Sequence, residues 1–410
     1  MAEFFNVLPP ALALAEVFKH LPATVRPENI PTVEALDRVT AGPVRSPAAL
    51  PAFPRSTMDG YAVRAQDTFG ASATLPAYLN VIGEVPMGNA PTLTLNTGQA
   101  ALVHTGGMIP NGANAVVMIE HTQTTRENEI EVVKAAAVGE NVLRVGEDVE
   151  PEAVVVEAGT RLRPQDLGGL MALGITTVTV ARRPKFAILA TGDEVVPPES
   201  EVGPGQIRDI NSYSVGGLVQ RAGGLPVRYG IAPDNFETLL ATSSKALSAC
   251  AGLILSAGSS VSVRDMTGDV INRLGGPGVL VHGVAVKPGK PTLLAVCDGK
   301  PVFGLPGNPV SALVIAELFV KPTIERMQGL RREFVARHVR AKLTRNIASE
   351  AGREDYVPAR LIERDGETLA EPVFGKSNLI FTLIRADGII HIPLNANGVS
   401  AGEMVEVRLF

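Results

Sequence analysis

The chain has 410 residues, of which 45% are hydrophobic and 19% charged, with a formal net charge of −5. A chain of that length divides into about two to four domains with separate cores, and its composition excludes a disordered or fibrous protein. The acidic balance argues against a nucleic-acid partner, which selects a basic surface or stripe. The one basic run, Arg331, Arg332, Arg337, Arg340, Lys342 and Arg345, alternates with apolar residues and reads as the outer face of a strand.

The N-terminus opens acidic and breaks at Pro9-Pro10, without the basic start and long apolar core of a secretion signal. No apolar run reaches the roughly 18 residues of a membrane span, so no membrane association is expected. Cys250 and Cys297 each lie in an apolar stretch and read as buried thiols of a reducing compartment. The expected location is the cytoplasm. Scattered histidines and the lack of CxxC or HExxH spacing argue against a structural zinc site.

In chain order, Leu12, Leu14, Val17, Phe18 and Leu21 mark a first helix, followed by proline-broken connectors. Residues 43–138 read as short strands between Gly, Pro and Asn, which predicts a small β-barrel or sandwich. A short helix follows Pro164. Strands and helices then alternate over 177–328: a strand at Phe186–Ala190, a helix through Val215 and Val219, a strand at Val227–Ile231, and a helix around 236–249. A strand at Leu253–Leu255 and a helix near 267–274 continue the alternation, which predicts a doubly wound α/β domain with a mostly parallel sheet. Residues 329–410 return to short strands with hairpin-type turns at Asp365-Gly366 and Asp387-Gly388, a second small β-domain.

Ligands bind at the carboxyl ends of the strands in such an α/β sheet. Four loops fall there: Thr191-Gly192-Asp193-Glu194, Asp209-Ile210-Asn211, Ser256 to Asp265, and Gly304 to Ser311. They supply N–H groups, hydroxyls, Arg264 and several carboxylates, a set suited to phosphate or another oxyanion and to Mg²⁺. In the last loop Pro309 suits the first helical position and Asn308 can cap, leaving helix N–H groups for an anion. Lys287 and Lys290, in Lys-Pro-Gly-Lys-Pro, add positive charge. A fifth motif, Met58-Asp59-Gly60-Tyr61, reads on its own as a hairpin turn.

Taken together, Ser56 to Val63, His104 to Glu120, Gly146 to Val149, Thr191 to Glu194, Ile207 to Ser212, Lys287 to Pro291 and Gly304 to Ala312 resemble the molybdopterin molybdenumtransferase family. That family includes the E domain of gephyrin. The resemblance spans nearly the whole chain. It implies an elongated four-domain subunit: a connecting domain of 1–42 and 139–176, a β-domain of 43–138, the α/β molybdopterin-binding domain of 177–328, and a C-terminal β-barrel of 329–410. It also implies a homodimer with an active site shared between subunits, using Mg²⁺, adenylated molybdopterin and molybdate, and releasing AMP. By motif match, Asp59, Thr105 and Asp148 come from the facing subunit, while Glu194, Asp209 and Asp265 line the α/β site and hold Mg²⁺ or orient the attacking water. Thr191, Gly192, Ser256, Gly258, Ser260, Arg264, Lys287, Lys290, Pro306, Gly307, Asn308 and Ser311 would contact the substrates.

The chain departs from the family pattern in places. Ala257 and Ser262 replace glycines, Arg264 adds a charge, Gly283 stands where the family has lysine, and Ser377-Asn378 replaces Ser-Gly. These changes bear on ligand preference, tungstate against molybdate included. A gephyrin-like scaffold or non-catalytic molybdopterin-binding protein is the alternative. A generic nucleotide hydrolase is disfavoured, because no Walker or G-x-G-x-x-G motif is present.

Overall fold

The computed structural model describes residues 7–22, 24–256, 261–331 and 338–410, and only the backbone of 261–264. Two compact units result, one of Met1–Gly42, Ala158–Arg163 and Thr177–Phe410, the other of Pro43–Glu157 and Pro164–Thr176.

The first unit is built on a six-stranded sheet in the order Leu225–Ala232, Lys185–Thr191, Gly252–Ser256, Lys300–Leu305, Leu293–Cys297, Pro277–His282. The first four run parallel. Leu293–Cys297 pairs antiparallel with both of its neighbours, so one strand of the six runs against the other five and the sheet is mostly parallel, as expected. The cause is local: Asp298 (φ 48°) and Gly299 (φ 76°) form a tight hairpin turn, which can only join antiparallel strands.

Alternation along Lys185–Thr191 shows why helices cover both faces. Phe186 and Ile188 pack with Val17, Val215, Val219 and Phe319 on one side. Ala187 and Leu189 pack with Leu239, Ala246 and Val270 on the other. The helices Pro10–His20, Asn211–Arg221 and Pro309–Ile315 supply the first face; Phe236–Ala249 and Val261–Arg273 supply the second. Leu12 is 59% exposed, so the first helix buries the Ala13–Val17 stripe instead of Leu12. Leu225–Ala232 and Gly252–Ser256, the two parallel strands that follow Lys185–Thr191 in the chain, flank it on opposite sides, and that reversal opens a crevice at its carboxyl end.

A second sheet in the same unit closes on itself. Glu354–Arg364 pairs with Glu367–Pro372 and with Gly388–Ile392, and the ring is completed through His338–Leu343 and Met404–Leu409. Its core is Leu343, Ala359, Ala370, Ile390, Ile392 and Val407. Arg340 and Lys342 lie on its exposed face, the position the basic run predicts. Asp365 (φ 53°) and Gly366 (φ 77°) form the expected hairpin. Asp387-Gly388 does not: Gly388 begins a strand with three residues between it and the short helix Phe381–Ile384, and the Asp387 carboxylate accepts the Leu361 N–H at 2.7 Å.

The other unit holds a barrel-like six-stranded sheet in the order Ala115–Met118, Gly60–Val63, Gln99–Val103, Ala77–Glu84, Glu129–Val132, Thr122–Arg126. Val63, Leu79, Ala100, Val117 and Ile130 fill its interior. Pro164–Ala172 forms the helix expected after Pro164.

Candidate active site

The crevice is walled by two stitched loops. Thr191 ends the first strand, buried at 1% exposure, with its Oγ1 donating to Asp234 at 2.8 Å. The chain then turns through Gly192 to Glu194, and Val195–Val196 pairs with Ile207–Arg208. The Asp209 N–H donates to the Val196 carbonyl at 2.8 Å, which draws the second loop against the first. Asp209 is buried, and its Oδ1 accepts the Ser212 N–H at 3.1 Å, capping the following helix. A cavity of about 580 Å³ opens here, lined among others by Gly192, Asp193, Glu199, Asp209, Ser212 and Arg228.

Asn211 joins the other loops to this wall. Its Nδ2 donates to Ser256 Oγ and to the Gly307 carbonyl, both at 2.8 Å. The ends of the third and fourth strands are thereby tied to the start of the Asn211–Arg221 helix. Asn211 lies in the Asp209–Asn211 loop that the sequence reading names, but that reading gives it no role of its own. Ser212, Tyr213 and Arg228 are further cavity residues it does not single out, and Asp193 lies in a loop it names without assigning it a ligand.

The Gly304 to Ser311 loop differs from expectation. Asn308 sits at the N-cap position, but its side chain makes no cap bond and donates instead to Ser377 Oγ at 3.0 Å. The Val310 N–H donates to the Ser377 carbonyl at 3.1 Å, so part of the helix start is occupied by the chain itself. Pro306 and Ser311 are buried beside it. The Lys-Pro-Gly-Lys-Pro segment also lies differently. Val286–Lys287 does not belong to the α/β sheet; it adds to the edge of the C-terminal barrel, with Lys287 opposite Asp355. The Lys287 ammonium is 3.9 Å from Asp355 and 59% exposed, and Lys290 is exposed too. Gly289, at φ 118°, turns the segment onto the helix Pro309–Ile315, where a Cβ would come within 2.6 Å of Ile315. Gly283 has φ 97°, a conformation that disfavours the lysine of the family pattern.

Asp265 is exposed, one turn into Val261–Arg273, and Glu194 is half-buried. Among the described residues no three His, Cys, Asp or Glu side chains gather to hold a metal, so Glu194, Asp209 and Asp265 form no ready-made cage. The donor set in the cavity, Asp193 and Asp209, nonetheless fits Mg²⁺, which takes one or two carboxylates and fills its other positions with water and phosphate. Gly258, Ser260 and Arg264 fall outside the described residues or side chains.

In the other unit, two motifs meet. Asp59 Oδ1 accepts the Thr105 N–H at 2.8 Å, and His104 lies 3.7 Å from the same oxygen while its Nε2 is 2.9 Å from Glu84. Gly60 opens a strand instead of a turn: a Cβ there would stand 2.0 Å from the Val117 carbonyl, so only glycine fits. The Asp148 N–H donates to the Leu50 carbonyl at 3.0 Å, leaving an exposed side chain.

Family models match in series along the chain: the MoeA N-terminal region, domains I and II, over 8–174; the "probable molybdopterin binding domain" over 187–326; and the MoeA C-terminal region, domain IV, over 340–410. The chain belongs to the MoeA family. A protein of Methanocaldococcus jannaschii is 37% identical to this MoeA-family chain, with 98% of each chain covered. The molybdopterin molybdenumtransferase of Haemophilus influenzae is 33% identical, with 97% of each covered. The crystal structure of a molybdopterin biosynthesis MoeA protein from Pyrococcus horikoshii superposes with a TM-score of 0.86 at 34% identity, covering 99% of this chain and 100% of its own.

Proposed function

We propose that the chain is a molybdopterin molybdenumtransferase of molybdenum cofactor biosynthesis, which takes adenylated molybdopterin and molybdate and releases AMP. The observation that carries this reading is the Asn211 clamp, which converges three family motifs on one strand-end crevice beside Asp209. The relatives' names favour an enzyme over the scaffold alternative.

In this reading Asp209, with Asp193, would hold Mg²⁺, which when bound supplies positive charge to the adenylate phosphate. Asp209 also orients the water that attacks the adenylate phosphorus. The P–O bond to the molybdopterin phosphate then breaks, and AMP leaves. Lys287, Lys290, Ser311 and the loop N–H groups offset phosphate and molybdate charge. Asp59, Thr105 and Asp148 act from the facing subunit of a homodimer, and the chain divides into the four domains that the resemblance implies. Tungstate is a second candidate oxyanion.

The test is AMP release from adenylated molybdopterin by the purified protein, with and without Mg²⁺ and molybdate. Release that requires both is expected. Pterin binding without release would contradict the enzyme.

A further inference from the structure

The cavity has a charge pattern that the site residues named so far do not use. Asp193, Glu199 and Asp209 line it, and Arg228 is the one cation among the described lining residues. Arg228 forms no ion pair with a described carboxylate. Its guanidinium carbon lies 4.4 Å from the centroid of the Tyr213 ring, and its Nε donates weakly to the Ser212 carbonyl at 3.4 Å. Arg228 Nη2 packs over Gly216, 3.7 Å from where a Cβ would stand. A guanidinium held by its flat face keeps its in-plane N–H groups for a ligand, in the fork geometry that suits two oxygens of one anion.

A second observation points the same way. Ser212 lines the cavity at 2% exposure, and its Oγ is buried with no hydrogen-bond partner among the described residues. A buried hydroxyl with no partner among the described residues, on the wall of a cavity, is free to pair with a ligand there. A ligand with phosphoryl oxygens supplies acceptors to both groups.

We propose that Arg228, together with Ser212 Oγ, binds the phosphate of a nucleoside monophosphate moiety in this cavity, with Tyr213 as the residue that positions Arg228. This rests on reading the cavity as the adenylate site and assigns the phosphate contact within it. Arg228 offsets the repulsion that Asp193, Glu199 and Asp209 would otherwise exert on an anion.

Calorimetric titration of the full chain with AMP and, separately, adenosine tests it. In R228Q the AMP affinity should fall on the order of tenfold to a hundredfold while adenosine binding is unchanged, the loss expected for charge-assisted bonds. R228K should recover only part of it, because an ammonium lacks the fork. Ser212→Ala should weaken AMP alone. Tyr213→Leu should weaken AMP less than R228Q and add nothing in the double variant, since it acts through Arg228. AMP binding by R228Q equal to wild type overturns the proposal. Wild-type protein that ignores AMP but binds pyrophosphate through Arg228 removes the adenylate reading and keeps the anion contact. Wild-type protein that binds neither sinks both.

Discussion

The side-chain amide of Asn211 donates to the Gly307 carbonyl at 2.8 Å, fastening the start of one helix to the loop that precedes another. The same nitrogen reaches Ser256 Oγ, so Asn211→Ala leaves two groups without this partner. The expected destabilisation is about 1–3 kcal/mol by urea unfolding, with a larger proportional loss in turnover. Unchanged stability and turnover would show that the loops hold their places without it.

Gly289 is a second stability test. At φ 118° and with Ile315 2.6 Å from a would-be Cβ, Gly289→Ala strains the backbone and overpacks the neighbouring helix. A loss of about 1–3 kcal/mol is expected. A variant as stable as wild type would refute the close approach.

Lys287 and Asp355 should respond unequally. Asp355 is 3% exposed and also takes Arg353 Nε at 3.0 Å, so Asp355→Ala leaves Arg353 without its buried partner and should destabilise the barrel clearly. Lys287 is mostly solvated, so Lys287→Met should change unfolding by less than about 1 kcal/mol while weakening molybdate binding. Equal destabilisation by the two changes would contradict the assignment.

The thiols give a pH signature. Burial pushes Cys297 up to about 12, chiefly through desolvation, and raises Cys250 as well. A raised thiol favours the folded state fully below the unfolded thiol value. That contribution is lost as the pH climbs from about 9, where the unfolded thiol ionises, toward about 12. Native protein at pH 8 should therefore resist alkylation at both cysteines, with reaction appearing only on unfolding. Rapid labelling of either in the folded protein would contradict their burial.

Much of this molecule is legible in its sequence because local pattern and tertiary role agree. Phe186, Ile188, Ala187 and Leu189 announce a strand buried on both faces, and Asp365-Gly366 announces a hairpin. The misreadings arise where a distant segment decides. Asn308 has the chemistry of a cap, but Ser377, far along the chain, takes its side chain. Lys287 follows a strand of the α/β sheet, but parallel pairing with Glu354–Arg364 places it on the barrel. Gly60 looks like a turn glycine, while the crowding that requires it comes from the Val117 carbonyl of a neighbouring strand. Arg228 carries no motif at all; only the fold lays it over Tyr213.

Asp209 carries the central claim, and its geometry permits a clean variant. Asp209→Asn keeps an oxygen to cap the Ser212 N–H while removing the charge from the cavity. The decisive measurement is the single-turnover rate of AMP release from adenylated molybdopterin by Asp209→Asn, beside its unfolding curve. A rate lower by at least about a hundredfold with near-native stability is the predicted result. A near-wild-type rate would contradict the role of Asp209 and, with it, the assignment of this crevice as the active site.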